Sequence, residues 1–218
     1  MVGAVVAVDV LRAFTTAAYA FGAGARHIVL VDSIAEALAF KAEHPDALAM
    51  GEHRGRRVNG FDFSNSPVEV AAADLVDRVL VQRTSSGTRG VVAARSATRL
   101  WCASLVCASA TACAVRLSGL GDPTYVITGR NVGERAAIAA DDVATAQLIE
   151  RARLGIELDA DRTSQFVAAS EEAKRTLAHG PGDANPEDVA LATDVDVFDF
   201  AMEAHRIDGQ LRLERSPS

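Results

Sequence analysis

The stretch VGAVVAVDVLRAFTTAAYAFG, residues 2–22, indicates how this chain folds. Its first part, VGAVVAVDV at 2–10, is apolar almost without interruption, which is typical of a strand covered on both faces of a sheet. Its second part, residues 12–22, is rich in alanine and predicts a helix. A buried strand followed by a helix is the repeating unit of α/β proteins with a mostly parallel sheet.

The same unit recurs along the first two-thirds of the chain. Further β-rich runs predict strands at 27–32, 47–51, 78–84, 98–104 and 124–128. Helical patterns alternate with them at 33–43, 66–74, 87–95, 106–117 and 140–153. Two of these helices begin with capping signals, Ser33 with Glu36 and Ser66 with Pro67. We therefore predict an α/β fold with a mostly parallel, mixed sheet.

The last third of the chain has a different pattern. Polar helical segments at 163–178 and 186–193 are separated by the turn-forming stretch HGPGDANP. We predict that 162–195 forms a helical cap or lid within a single domain spanning 1–218. The final stretch FDFAMEAHRIDGQLRLER has alternating apolar residues on both sides of Asp208-Gly209, which predicts a C-terminal antiparallel hairpin that extends the sheet.

Charge and composition narrow the classes of partner. The net charge of −7 gives no basic field for nucleic acid or an acidic membrane, and no apolar run approaches the ~20 residues of a membrane span. Val2–Val8 leads straight into Asp9 without the pattern of an export signal, so we expect a cytoplasmic protein. Small molecules and a second copy of the chain, as a homodimer, are the expected partners.

Polar residues follow the predicted strands, where ligands bind in open α/β sheets. Each of four strands contributes such a group. They are Asp9 with Arg12, Glu52, the stretch RTSSGT at 83–88, and the loop GRNVGERAAIAADD ending in Asp141 and Asp142. Acids, arginines and hydroxyls at one edge of a sheet are the mixture that an anion-plus-metal site requires.

The stretch RTSSGT is the candidate phosphate-binding turn. Arg83 and the four hydroxyls of Thr84, Ser85, Ser86 and Thr88 surround Gly87, where a helix is predicted to begin, and the N–H groups of a helix start attract anions. A simple N-cap by Ser85 or Ser86 is the alternative. No Gly-Lys-Ser/Thr follows, which disfavours a P-loop and ATP hydrolysis.

Asp9 is the first candidate metal ligand, because a lone carboxylate at the end of an apolar strand is costly unless it is paired or metal-bound. A salt bridge with Arg12 is the alternative. A covalent aspartyl-phosphate mechanism is disfavoured, since Leu11 stands where a second Asp is expected. Mg²⁺ takes one or two carboxylates plus waters and substrate oxygens. The other acids that could join Asp9 around it are Glu52, Asp62, Asp141 and Asp142, each of which alone is more often a solvated surface charge.

Histidines contribute little to the predicted site. His53 is a candidate acid or base, because it lies within the charged stretch GEHRGRRVNGFDFSNSP at 51–67. The remaining histidines lie at the edges of elements without metal-ligand spacing, and we predict no role for them: His27, His44, His179 and His205.

Five motifs follow one another along the chain: VDVLRAFTT (8–16), GEHRGRRVNGFDFSNSP (51–67), RTSSGT (83–88), the acidic pair at 141–142 and DFAMEAHRIDG (199–209). In this order they resemble the motifs of the Mg²⁺-dependent 2-phosphosulfolactate phosphatases. The resemblance implies a three-layer α/β/α fold and hydrolysis of a phosphate ester of a small sulfonated acid in the route to coenzyme M. The residues that align with the family's polar motifs are Asp9, Arg12, Glu52, Asp62, Asn65, Ser66, Thr84, Gly87 and Thr88.

The chain departs from the family pattern at two polar positions. Ser86 stands where the family usually has Asn, and Ser64 where it usually has Gly. With this pattern the leading hypothesis is an Mg²⁺-dependent phosphatase whose metal and attacking water are held by Asp9, Glu52 and Asp62, with Asp141 or Asp142.

Phosphoryl charge would be neutralised by Arg12, Arg83 and the turn at 84–88. Asn65 and Ser66, which open the next helix, are further candidates for binding the substrate or its phosphate. A second acidic group of the substrate would be held by Arg54, Arg56 or Arg57. Two rival hypotheses are an anion-binding protein without catalysis and a lyase or isomerase acting on a phosphorylated acid.

Overall fold

A computed structural model describes residues 3–129, 139–157, 159–180 and 182–217. Within these residues the strands are β1 (Ala4–Val8), β2 (His27–Leu30), β3 (Leu48–His53), β4 (Arg56–Arg57), β5 (Val79–Arg83), β6 (Arg99–Ala103), β7 (Thr124–Ile127), β8 (Phe200–Ile207) and β9 (Gln210–Pro217). The helices are α1 (Ala13–Gly22), α2 (Ile34–Glu43), α3 (Pro67–Ala71), α4 (Gly87–Ala94), α5 (Ala108–Leu117), α6 (Ala140–Arg153), α7 (Ala160–Ala168), α8 (Glu171–Ala178) and α9 (Asp188–Thr193).

The predicted strands and helices of the first two-thirds are confirmed, with ends that move by a few residues. The capping box at Ser33 forms as expected, and the Ser66 hydroxyl accepts from the Glu69 N–H at the start of α3. The segment predicted as one helix at 163–178 is two helices, α7 and α8. Ser170 separates them, because its hydroxyl accepts from the Ala173 N–H and starts a new helix.

The nine strands form one mixed sheet in the order β4-β3-β5-β2-β9-β8-β6-β1-β7. The predicted C-terminal hairpin is confirmed, and both turn residues, Asp208 and Gly209, have positive φ. It joins the sheet at its centre, between β2 and β6, instead of at an edge. Its apolar side chains explain this position: Met202 and Leu213 face one core and Ala201 faces another, so neither face of the hairpin suits solvent.

Two sets of parallel strands flank the hairpin, β2 with β3 and β5, and β1 with β6 and β7. Three antiparallel pairings lie between them, so the two sets run in opposite directions along the sheet. Residues of both sets nevertheless pack in one core around α1, α3 and α4, which include Phe14, Val70 and Val91. The carboxyl ends of β1, β3 and β5 meet, because Asp9, Glu52 and Thr84 line the same cavity.

Helices cover both faces of the sheet, which confirms the three-layer α/β/α arrangement. Helix α2 packs on the outer face of β2, β3 and β5, while α5 and α6 cover the outer face of β1 and β6. In the predicted cap, Val167 of α7 and Ala192 of α9 are buried in the same outer core. Among the described residues no helix is both long and apolar enough to cross a membrane. The single-domain assignment itself stays a prediction.

Candidate functional site

A cavity of 280 Å³ opens where the carboxyl ends of β1, β3 and β5 meet. Helix α6 and helix α8 of the predicted cap complete its wall. Of the predicted site residues, the cavity is lined by Asp9, Arg12, Glu52, Arg54, Asn65, Thr84, Ser85, Ser86, Asp141 and Asp142. Most of the candidates that were far apart in the sequence are therefore brought together.

Asp9 lies at the end of β1 and is almost fully buried. Its carboxylate accepts hydrogen bonds from the Ala13 N–H (2.8 Å) and the Thr128 hydroxyl (2.9 Å). Burial, together with the nearby Glu52 carboxylate, raises the pKa of Asp9 to about 6, against the opposing effect of these hydrogen bonds. The predicted alternative partner, Arg12, makes its ion pair elsewhere. Asp9 is thus a buried carboxylate that pairs with no cationic side chain of the described residues.

Asp141 and Asp142 lie in the first turn of α6, beside Asp9. Asp142 accepts from the backbone N–H groups of Val10 (2.8 Å) and Gly129 (3.3 Å), which ties α6 to the ends of β1 and β7. Asp141 is also buried, yet its Oδ1 atom has no hydrogen-bond partner among the residues that the structure describes. The predicted loop that precedes this pair lies largely outside the described residues.

Burial and nearby like charges perturb the carboxyl groups of Asp141 and Asp142. Burial, followed by the Glu172 carboxylate, raises the pKa of Asp141 to about 7. Burial, followed by Asp141 and Asp9, raises the pKa of Asp142 well above its usual range. A group of buried carboxylates that repel one another favours a cation between them.

Glu52 organises the loops around the cavity. Its carboxylate accepts from the backbone N–H groups of Gly55 (2.6 Å) and Ser85 (2.5 Å) and from the Ser85 hydroxyl (3.0 Å). Ser85 Oγ in turn accepts from the Arg54 N–H (2.9 Å). Glu52 therefore joins the β3–β4 turn to the predicted phosphate turn, and its oxygens are occupied by hydrogen-bond donors.

The predicted phosphate turn at 84–88 is closed by its two threonines. The Thr84 N–H donates to Thr88 Oγ1 (2.9 Å), and the Thr88 N–H donates to Thr84 Oγ1 (3.0 Å). Ser86, at the start of α4, makes no side-chain cap and lines the cavity. A Cβ on Gly87 would lie 2.8 Å from Asp9 Oδ2, so only glycine lets the start of α4 approach Asp9 this closely.

Arg12 lines the cavity but is held by the predicted cap. Its guanidinium forms a buried ion pair with Asp188 (2.7 Å) and donates to the Asp183 carbonyl (3.2 Å). Asp188 also accepts from the Ser66 hydroxyl (2.5 Å). Ser66 is thus a cap of α3 and a partner of Asp188, and it does not line the cavity.

Four further predicted residues lie away from the cavity. Asp62 pairs with Lys41 (2.7 Å) and accepts from the Ala49 N–H (2.7 Å). Arg83 donates to the Glu52 carbonyl (2.8 Å) and approaches His53 Nδ1 (3.1 Å). Arg57 donates to the Asp62 carbonyl and pairs with Glu69. Thr88 faces Thr84 within the turn. Their side chains support the loops that carry the cavity.

Comparison with known proteins shows which family the chain belongs to. The family model described as 2-phosphosulpholactate phosphatase matches residues 1–204. The chain belongs to this family. The family is one of phosphatases, which are phosphoric monoester hydrolases.

Relatives in three organisms carry the name probable 2-phosphosulfolactate phosphatase. The protein of Thermoplasma acidophilum is 30% identical over 182 residues, which cover 84% of this chain and 78% of that protein. The protein of Deinococcus radiodurans is 31% identical over 197 residues, covering 87% and 80%. The protein of Bacillus subtilis is 41% identical over 96 residues, and there the chain spans 44% of its own length and 42% of the relative.

In this member of the family, reasoning from the sequence missed Thr128, whose hydroxyl donates to Asp9 beside the cavity, and several residues that line the cavity itself. Thr128 was treated only as the end of a strand, although it follows the same rule as Asp9 of lying at a strand's carboxyl end. Helix α8 contributes Glu172, Arg175 and His179. His179 was predicted to have no role. The sequence did contain a signal for these α8 residues, namely the predicted cap, because a cap that covers the site must direct some of its side chains into the cavity.

The cavity of this phosphatase-family chain does not contain a complete set of metal ligands. Among the described residues, no three histidine, cysteine or acidic side chains are placed to hold a metal ion together. Mg²⁺ does not need such a set, because it commonly keeps several waters and binds one or two carboxylates plus phosphate oxygens. Asp9 and Asp141 are the carboxylates that suit this mode. Their oxygens are buried in the cavity, and one of them has no partner.

Proposed function

We propose that this chain is an Mg²⁺-dependent phosphatase that hydrolyses a small acidic phosphate monoester. The substrate that its family suggests is 2-phosphosulfolactate, which would give 3-sulfolactate and phosphate in the route to coenzyme M. The observation that carries the proposal is the placement of buried Asp9 and Asp141 in the same cavity as the Ser85–Ser86 turn. The carboxylates that would bind a metal and the hydrogen-bond donors that would bind a phosphoryl group then face the same cavity.

The charge balance of the cavity supports a bound cation. Among the described residues that line it, five carry carboxyl groups, Asp9, Glu52, Asp141, Asp142 and Glu172, against three that carry guanidinium groups. A phosphate ester with further acidic groups would be repelled from such a surface. Bound Mg²⁺, held by Asp9 and Asp141 with Asp142 beside them, would neutralise this charge and polarise the phosphoryl oxygens. The unpartnered Oδ1 of Asp141 fits this role.

The remaining groups orient the ester and exclude water. Ser86 presents the start of α4 to the cavity, where backbone N–H groups stabilise negative charge on a phosphoryl group. Arg12 brings a fixed positive charge to the same cavity, since Asp188 holds its guanidinium in place. Positioning and electrostatic stabilisation are the main catalytic contributions in phosphoryl transfer.

Phosphate release from 2-phosphosulfolactate and from a panel of small phosphate esters, with Mg²⁺ and with EDTA, tests the proposal. We expect turnover with Mg²⁺ that is lost in EDTA and restored by added Mg²⁺, and the Asp9→Asn variant serves as the inactive control. Binding of the esters without turnover would favour the anion-binding hypothesis. Consumption of an ester without free phosphate would favour a lyase or isomerase. Turnover that EDTA leaves unchanged would contradict the role of Mg²⁺.

The homodimer and the cytoplasmic location remain predictions from the sequence. Light scattering on the purified chain measures the first, and fractionation of cells measures the second.

A further inference from the structure

Within the described part of the chain, three basic side chains line the cavity in addition to Arg12, and they come from two separate segments. Arg54 lies in the β3–β4 turn, while Arg175 and His179 lie in and just after α8. Only Arg54 was predicted from the sequence. Neither the carboxylates near Asp9 nor the phosphate turn requires Arg175 or His179, so their presence in the cavity needs its own explanation.

The end of α8 packs directly on the β3–β4 turn. Gly55 has a φ of +78°, and a Cβ at this position would lie 2.2 Å from His179 Nε2. The same glycine donates its N–H to Glu52 (2.6 Å), which also holds Ser85. His179 is therefore seated next to Arg54 by a contact that only glycine permits, close to the phosphate turn.

The backbone of Arg54 is held while its side chain is left available. Its φ is 53°, a left-handed conformation that is uncommon for a residue with a side chain, and its N–H donates to Ser85 Oγ (2.9 Å). No carboxylate in the described part of the chain pairs with its guanidinium. Arg175 pairs with Glu172 at 3.3 Å, and its side chain is 60% exposed. A surface pair of this kind is weak enough to exchange for a ligand.

The other arginines of this loop are directed elsewhere. Arg57 is occupied by the Asp62 carbonyl and Glu69, and neither Arg56 nor Arg57 lines the cavity. Of the three arginines between 54 and 57, only Arg54 faces the cavity. It adjoins the phosphate turn through Ser85, so an anion held by Arg54 lies a short distance from a phosphoryl group at Ser86.

We propose that Arg54, Arg175 and His179 form a subsite for the second acidic group of the substrate, a sulfonate or carboxylate on the carbon chain of the ester. The subsite makes the cavity selective for phosphate esters that carry a further negative charge. This inference rests on the proposed function, because it divides the same cavity into a phosphoryl end and an acid end. A volume of 280 Å³ suits a small three-carbon acid.

Kinetics with matched esters measure this selectivity. The esters are isopropyl phosphate, 2-phospholactate, which adds a carboxylate to the same skeleton, and 2-phosphosulfolactate. The variants are Arg54→Ala and His179→Gln, each checked for folding by its thermal unfolding. The ratio of kcat/KM for the acid esters to that for isopropyl phosphate should fall about 10- to 100-fold, as expected for one lost charge-assisted hydrogen bond.

Matched controls exist on the same two elements. Arg56 neighbours Arg54 and Lys174 neighbours Arg175, both are exposed, and neither lines the cavity. Arg56→Ala and Lys174→Ala should keep the wild-type ratio. An equal fall in kcat/KM for all three esters in Arg54→Ala and His179→Gln, or the same change in ratio in the controls, would overturn the subsite.

Calorimetric binding of 3-sulfolactate separates this inference from the proposed function, because the ligand has no phosphoryl group and needs no turnover. The wild-type chain should bind it, and Arg54→Ala and His179→Gln should bind it about 10-fold or more weakly. Such binding would support the subsite even if every ester proved inert, in which case the proposed activity alone would fail. Undetectable wild-type binding, or unchanged binding in both variants, would contradict the subsite.

Discussion

Arg12 and Asp188 form a buried ion pair, with 2.7 Å between Nη1 and Oδ2, although 176 residues separate them in the chain. Asp188 also accepts from the Ser66 hydroxyl and from the Asn185 N–H (2.9 Å). The pair thus joins the loop after β1, the start of α3 and the predicted cap. One charge of the catalytic cavity is held in place by residues of the cap.

Asp188→Ala should lower the free energy of unfolding by about 3–5 kcal/mol, because it leaves the buried Arg12 guanidinium without its carboxylate partner. Urea denaturation measures this. The exposed pair Arg26–Asp77 is the control, since Asp77→Ala should change stability by less than about 1 kcal/mol. The double variant Arg12→Met with Asp188→Leu should be less destabilised than the sum of its single changes. A strictly additive result would contradict the pairing.

Asp9→Asn should remove nearly all phosphatase activity while leaving the fold intact. An amide can still accept from the Ala13 N–H, and the Thr128 hydroxyl can donate to the Val8 carbonyl (3.0 Å) instead. Loss of the proposed metal ligand should lower kcat/KM by about 100-fold or more. Steady-state kinetics and calorimetric titration with Mg²⁺ measure the two effects. Full activity in Asp9→Asn would show that Asp9 is not part of the active site.

The stability of the metal-free chain should fall as pH rises from about 4 to about 8 through the contribution of Asp9 and Asp141. Their pKa values rise from 3.8 to about 6 and about 7 in the fold, so the folded state binds more protons than the unfolded state in this range. For Asp9 alone the change corresponds to on the order of 3 kcal/mol. This stabilising contribution is fully present below the unfolded pKa and lost above the folded pKa.

Urea denaturation in EDTA at several pH values gives this slope, and Asp141→Asn is the comparison. The variant should lose less stability than the wild type between about pH 4 and about pH 8. Mg²⁺ should stabilise the wild type more at the high end of this range, where it replaces protons. Identical slopes for the two proteins would show that Asp141 titrates as an ordinary exposed acid.

Glu52→Ala should disrupt the turn that faces the phosphoryl group. It removes the acceptor of two backbone N–H groups, those of Gly55 and Ser85. Each unsatisfied group costs about 1–3 kcal/mol, so stability and kcat should both fall. Glu52→Gln retains one acceptor oxygen, so its stability and kcat should lie between those of Glu52→Ala and the wild type. Arg56→Ala, on the same loop but outside the cavity, should match the wild type in kcat and KM.

Gly87→Ala should separate the start of α4 from Asp9. The added Cβ would lie 2.5 Å from the Ala13 Cβ and 2.8 Å from Asp9 Oδ2. Overpacking of this kind costs about 1–3 kcal/mol, and the moved turn should lower kcat. Gly180 is the control for stability, because a Cβ there would meet no atom within 4 Å. The midpoint temperature of thermal unfolding should fall for Gly87→Ala and stay at the wild-type value for Gly180→Ala. Equal midpoints for the two variants would argue against the close contact between Gly87 and Asp9.

Much of the fold follows from local signals in the chain. The apolar run before Asp9 and the alanine-rich segment after it specify a strand and a helix through their different periodicities. The cap at Ser33 and the turn at Asp208-Gly209 form from neighbouring residues alone. These features were predictable because each depends on groups a few residues apart in the chain.

The partners of the charged residues were not predictable in this way. From the sequence, Asp62 and Asp141 were equal candidates for a metal ligand, since both are acids in polar loops. In the fold Asp62 meets Lys41, whereas Asp141 is buried with one oxygen unpartnered. Which of these two carboxylates meets a lysine depends on how α2 and α6 pack. Sequence spacing carries no information about that packing.

The sequence by itself determined the kinds of element, their order, and the presence of acids, hydroxyls and arginines after the strands. Periodicity and turn chemistry act over a few residues and suffice for this. Only the tertiary structure decided that the hairpin enters the centre of the sheet and that oppositely directed strands open on one cavity. The reason is physical: the hairpin is apolar on both faces and is buried between β2 and β6, and packing between segments far apart in the chain brings Asp9, Glu52 and His179 to one cavity.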